Sequence, residues 1–420
     1  MHRRPNCIQS AVTVMLFGLL AGGAVTADDW PQFRGPDRDG ISKEKGLLRS
    51  WPEGGPEVLW SVEVGQGYSA AAIHDGRVFF NDYDEAAGEW LVRSVDLDTG
   101  KELWRFSEAR RIRPNHGITR TVPAVDGKRV FALDHKAVLH ALDAATGEEL
   151  WRKSLIEAYE AKIPPWYNGQ CPLVDGDRLI IAPGGAALMV ALDTASGEEI
   201  WRTPNPEDWP MSHASVMQAT LGGTKQYLYN NLFGTVGVAA SDGSLLWHHP
   251  FKFNVAVAPA PLPLDDDRVL ITAGYDAGGA ILSVGHDGGS WSTEEVVPLP
   301  PSLWNSEIHT PIFHDGHLFS VGRLKRGLLT CQDDEGKVMW TSEGKASFEM
   351  GSYLLADGLL FVLEGKTGML RLVEATTSEY RELARAQVLS GHDVWGPPAL
   401  ADGKLVIRDM GRMVALDVGG

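Results

Sequence analysis

The chain has 420 residues, 44% of them apolar and 22% charged, and a formal net charge of −17 at pH 7. That acidity argues against nonspecific binding to nucleic acid or to an anionic membrane face. No stretch beyond the N-terminal leader approaches the ~20 apolar residues of a membrane span, so a soluble monomer with no membrane span is expected.

In chain order, the first element is a leader. Arg3 and Arg4 form a basic start, Ala11 to Ala24 is apolar, and Val25-Thr26-Ala27 gives the small-residue pattern that a signal peptidase cuts. Residues 1–27 therefore read as a signal peptide, and 28–420 as an exported, periplasmic or extracellular protein. Losing both arginines makes that part more acidic still. It retains Cys171 and Cys331, far apart in sequence, which are expected to be buried free thiols rather than a pair.

A repeat follows. Ser94-Val-Asp-Leu-Asp-Thr-Gly-Lys-Glu-Leu-Trp104 is echoed by Ala141-Leu-Asp-Ala-Ala-Thr-Gly-Glu-Glu-Leu-Trp151 and Ala191-Leu-Asp-Thr-Ala-Ser-Gly-Glu-Glu-Ile-Trp201. Gly243 with Trp247 and Gly336 with Trp340 keep the same interval. The tryptophans step by 47, 50, 46 and 93 residues, the last being two steps across one degenerate copy. Each copy is preceded by a turn between apolar runs: Asp75-Gly76, Asp126-Gly127, Asp175-Gly176, Gly222-Gly223, Asp266-Asp267, Asp315-Gly316, Asp357-Gly358 and Asp402-Gly403. Eight units of four short strands, with hairpin turns and almost no helical periodicity, predict an all-β, eight-bladed propeller of antiparallel blades in one domain over residues 28–420. The last unit reaches Ala415-Leu-Asp417 without its outer strand. Glu57-Val-Leu-Trp60 supplies the missing piece, so the N-terminal strand is expected to close the ring.

The pattern Ala-Leu-Asp-x-x-Thr-Gly-x-x-Leu-Trp resembles the tryptophan-docking repeat of PQQ-type propellers. That family includes quinoprotein dehydrogenases and the propeller lipoprotein of the outer-membrane β-barrel assembly machine. Trp30-Pro-Gln-Phe-Arg-Gly-Pro-Asp37 is similar to the start of many exported members. The resemblance implies that Trp60, Trp104, Trp151, Trp201, Trp247 and Trp340 seal one blade against the next, the glycine permitting the tight turn. Trp30, outside the repeat, is expected to matter less.

No nucleophile elbow, zinc-protease helix, phosphate loop or Cys-x-x-Cys pair is present. Asp82, Asp84 and Glu85 read as a solvated turn rather than a Ca²⁺ loop, as do Asp265 to Asp267. The candidate site is the mouth of the central channel, where each innermost strand begins. Around the ring this gives Tyr68, Arg120, Gln170, His213, Asn254, His309, Glu349 and Trp395, with His116, Asn168, Glu307, His392 and Asp393 beside them. Arg, His, Glu and Trp together can orient and stack a polar ligand. His213 and His309 would make binding pH-dependent between about pH 5.5 and 7.5 if either touches the ligand.

The expected function is a non-catalytic binding or scaffold propeller for a protein partner or a small polar ligand, with no cofactor. The alternative is a quinoprotein dehydrogenase using PQQ and Ca²⁺. The adjacent cysteines, Ca²⁺-ligating Glu and Asn, and Asp base that the resemblance would then imply are not recognisable by motif.

Overall fold

The computed structural model describes residues 29–113, 116–302, 304, 306–322 and 327–420; the signal-peptide reading of residues 1–27 lies outside them. Eight antiparallel sheets follow one another along the chain. Blade 1 consists of Ala72–His74, Arg77–Asp84, Glu89–Asp96 and Glu102–Ala109. Blades 2 to 7 span 124–154, 173–204, 217–250, 262–299, 312–341 and 353–387. The eighth takes its three inner strands from 399–417 and its outer strand from Val58–Glu63, which pairs with Arg412–Asp417. The ring is thus closed by the N-terminal strand, which removes two free sheet edges. The sole helix among the described residues is Leu155–Tyr159.

The local sequence explains each blade. The middle strands, such as Arg178–Ile181 and Ala187–Asp193, are buried on both faces and correspondingly apolar along their length. Outer strands such as Glu102–Ala109 alternate between blade contact and water. Asp75-Gly76 has φ of +48° and +68°, the two left-handed residues that a tight hairpin turn matching strand twist requires.

Every outer strand also carries a bulge one residue before the tryptophan position. Glu102 faces Val95 and Trp104 faces Ser94, leaving Leu103 unpaired between them. Leu59, Leu150, Ile200, Leu246, Val296, Met339 and Leu383 hold the same place in the other blades. An extra residue locally bends and twists a strand. Here it leaves an aliphatic side chain at the rim while the next residue turns inward.

Four indoles cross to the following blade. Trp60 donates to Leu97 O (2.7 Å), Trp104 to Ala144 O (3.0 Å), Trp151 to Thr194 O (3.1 Å) and Trp340 to Thr376 O (2.8 Å). Their faces lie so close to the turn glycines that a Cβ at Gly100, Gly147 or Gly197 would come within 2.7 Å of the ring. Trp201 covers Gly243 in the same way but has no acceptor for its N–H. Trp247 differs from those four: its indole donates to Gln226 Oε1 of its own blade at 2.8 Å, while the ring packs in one cluster with blade 5. Val297 and Ala384 occupy the tryptophan position in blades 5 and 7.

The N-terminal segment does more than close the ring. Trp30 exchanges backbone hydrogen bonds with Ile73 of blade 1, and Pro31 O accepts from Val125 N of blade 2. The Arg38 guanidinium donates to Pro172 O and Cys171 O just before blade 3. The Arg34 guanidinium donates to Thr310 O (2.6 Å) and Pro311 O (2.9 Å) just before blade 6. Ile41–Ser42 then adds in parallel to Tyr353–Ala356 of blade 7. Residues 30–42 therefore run across the central channel from blade 1 to blade 7. Trp30 is only 2% exposed, so the expectation that it matters less than the repeat tryptophans is not supported by its burial. Both remaining cysteines are free and buried, and among the described residues no helix is long and apolar enough to cross a membrane.

Candidate functional site

Where the innermost strands begin, loops from all the blades converge on a cavity of about 440 Å³, within the size range of small-ligand sites. Phe33 of the crossing segment lines it. The channel is thereby a cup with a floor rather than an open tunnel.

Tyr68, Arg120, His213, His309 and Trp395 all line this cup, joined by His116 and Glu307. They come from five different blade junctions, which is what convergence of inner strands on one axis provides. Three expected residues do not line it. Gln170 is fully buried and uses its amide to hold Ala182, donating to its carbonyl (3.1 Å) and accepting from its N–H (2.7 Å). Asn254 is exposed and donates to Tyr275 O (2.9 Å). Glu349 is exposed on a left-handed backbone with φ +52°, and its neighbour Met350 takes the lining position. Asn168 is buried and donates to Asp134 O, and neither His392 nor Asp393 reaches the wall. Asp82 is no solvated turn: it is 3% exposed and paired with Arg93 at 2.9 Å.

The walls are largely aromatic. Tyr68 and Trp395 stack with centroids 4.9 Å apart at 22°, and the Arg120 guanidinium lies 5.7 Å from the Tyr68 ring centre. Trp166 leans on His213 at 6.1 Å. Trp166 and Tyr275 went unnoticed in the sequence. Their signal was an aromatic residue set in a chain bend, Pro164-Pro165-Trp166-Tyr167 and Gly274-Tyr275-Asp276.

Burial governs the titratable groups. His213 and His309 are each pushed down to about 4, chiefly by desolvation. His213 Nε2 lies 2.8 Å from Pro165 O and His309 Nε2 lies 3.0 Å from Met350 O. A carbonyl only accepts, so Nε2 carries the proton in both rings and Nδ1 is the remaining acceptor. Both are neutral at pH 7, and the expected response between pH 5.5 and 7.5 moves to lower pH. Desolvation likewise lowers the Arg120 pKa and raises that of the Tyr68 phenol.

Three lining residues have left-handed backbones without being glycine: His116 (φ +56°), Trp166 (+66°) and Tyr275 (+56°). Tyr167 (+70°) and Asp276 (+59°) extend this strain beside them. Such conformations cost on the order of 1–3 kcal/mol each and persist only where the surroundings enforce them, commonly at ligand sites.

Comparison with known proteins follows the same lines. The sequence model of a family described as outer membrane protein assembly factor BamB matches residues 87–303, just over half of the chain. The BamB of Xanthomonas campestris pv. campestris is 25% identical over 163 residues, covering 36% of this chain and 38% of that protein. The BamB of Yersinia pestis is 29% identical over 111 residues, covering 23% and 26%. The chain's match thus spans well under half the length of either relative. Among solved structures, the quinohemoprotein alcohol dehydrogenase of Comamonas testosteroni superposes with a TM-score of 0.64 at 15% identity, over 94% of this chain and 81% of that one. BamB of Moraxella catarrhalis gives 0.59 at 15% identity, over 86% and 96%. At such identities the likeness is one of fold, and one fold carries many functions.

Proposed function

The chain belongs to the BamB family of PQQ-type propellers, and from that premise we propose that it is an exported, non-catalytic binding propeller whose site is the floored cup. The observation that supports this most is the set of strained rings His116, Trp166 and Tyr275, held from three separate loops around one cavity. A ligand that they grip would account for the strain.

The alternative reading as a quinoprotein dehydrogenase can be weighed against the wall. PQQ carries three carboxylates and acts with a bound metal cation. Among the described lining residues there is one guanidinium, Arg120, no lysine, one carboxylate, Glu307, and no second cysteine beside Cys171. That donor set does not fit the cofactor. Purified protein supplied with PQQ and Ca²⁺ is expected to show no dye-linked oxidation across a panel of alcohols and aldoses. Saturable quinone binding with turnover would make the protein an oxidoreductase.

Family membership also favours a scaffold for a protein partner, because the relatives are named for outer-membrane protein assembly. The two readings separate on the double variant Arg120→Ala, His309→Ala. Loss of small-molecule binding by a folded variant supports the cup. Loss of a protein partner only when rim or outer-loop residues are changed supports the scaffold.

A further inference from the structure

We propose that the ligand of the cup is a neutral sugar of one or two rings. This rests on the reading of the cup as a binding site and names its ligand class. The first observation is shape and surface. The floor is Phe33, the walls carry Tyr68, Trp166, Tyr275 and Trp395, and the cavity of about 440 Å³ is larger than any single side chain would need. Tyr68, Trp395 and the Arg120 guanidinium already stack on one another, so Phe33, Trp166 and Tyr275 are the apolar plates that suit the C–H faces of a pyranose ring.

The second observation is what lies between those plates. Arg120 and Glu307 bring a guanidinium and a carboxylate to the wall, a donor and an acceptor of the kinds that bond hydroxyls. His213 and His309 each spend Nε2–H on a backbone carbonyl and offer Nδ1 as an acceptor. The wall therefore presents acceptors and donors together, as a polyol requires, because every hydroxyl both donates and accepts.

The third observation is charge. One guanidinium and one carboxylate balance formally, and the two imidazoles are neutral because burial lowers them to about 4. An anion would face Glu307 and a cation would face Arg120, each in a partly desolvated site where an uncompensated charge is costly. A neutral, hydroxyl-rich ring avoids both penalties.

The test is calorimetric titration of the full chain, with tryptophan fluorescence as a second readout. The probes are glucose, galactose, mannose, xylose, N-acetylglucosamine, maltose and cellobiose, with benzoate as the anionic and tetramethylammonium as the cationic control. Saturable binding of at least one sugar, with a fluorescence change, is expected. Trp166→Ala and Arg120→Ala should each weaken it at least tenfold while the melting temperature and circular dichroism show the fold retained. Leu103→Ala on the rim should leave it unchanged. Binding of either ion more tightly than every sugar, binding of no sugar, or binding indifferent to both cup variants overturns the proposal. If no sugar binds but another small molecule co-purifies and is lost from Arg120→Ala, His309→Ala, only the ligand class falls. If nothing occupies the cup under any condition, the binding reading falls with it.

Discussion

His135, His213 and His309 set a pH response that belongs to individual residues. Burial pushes each down to about 4 in the folded protein, whereas an imidazole in the unfolded chain titrates near 6.5. Between those values the unfolded chain binds more protons, so stability rises with pH from about 4 to 6.5 and is flat above. The contribution is fully present above pH 6.5 and is lost as pH falls toward 4, on the order of 3 kcal/mol per ring. Urea melts at pH 7.5 and 4.5 should show the midpoint falling, and His213→Asn with His309→Asn should flatten the fall. A midpoint that rises on acidification would contradict the assignment. Among the tryptophans, Trp151→Ala should cost roughly 3–5 kcal/mol as a large packed aromatic. Trp30→Ala should cost as much, since Trp30 is 2% exposed and a Cβ at Gly35 would sit 2.9 Å from its ring. Equal and small losses at both positions in denaturant melts would count against the packing described. The burial of Trp30 was not legible from the repeat, because the residues set against it are Gly35 of the crossing segment and Ile73 of blade 1.

At the scale of elements, the blades were readable and the crossing segment was not. Strands, hairpin turns and the closing strand follow from local signals: β-branched runs, Asp-Gly pairs and a repeat whose missing end reappears at Trp60. Arg34 gives no such signal. Its guanidinium meets the carbonyls of Thr310 and Pro311, backbone atoms more than 270 positions away that any residue type could supply. Trp247 packs in one apolar cluster with blade 5 as its place in the repeat implies, but its bond to Gln226 within its own blade has no signal in the repeat. Deleting residues 28–64 should leave the eighth blade with a bare edge and the cup without Phe33, so aggregation or a large drop in melting temperature is expected. A monomeric deletion variant with unchanged melting temperature would refute ring closure. Arg34→Ala isolates the crossing segment from that closure. It should destabilise by about 2–4 kcal/mol through the loss of several charge-assisted bonds to buried carbonyls. A change below 0.5 kcal/mol in equilibrium unfolding would show that the crossing is not fastened as described.

For the whole molecule, the ring geometry made the candidate site partly legible. Knowing only that inner strands converge was enough to bring Tyr68, Arg120, His213, His309 and Trp395 to one cavity. Which lead-in residue turns inward depends on backbone angles that the sequence does not announce. Gln170 is drawn back to Ala182, and Glu349 is turned outward so that Met350 faces the cup. The central claim, that the cup holds a small molecule, is tested most directly by native mass spectrometry of the full chain purified without added ligand. The wild-type protein is expected to carry a small-molecule adduct of defined mass that disappears in the folded Arg120→Ala, His309→Ala variant. An adduct retained by that variant, or wild-type protein that is bare and stays bare when offered extract small molecules, would contradict the account.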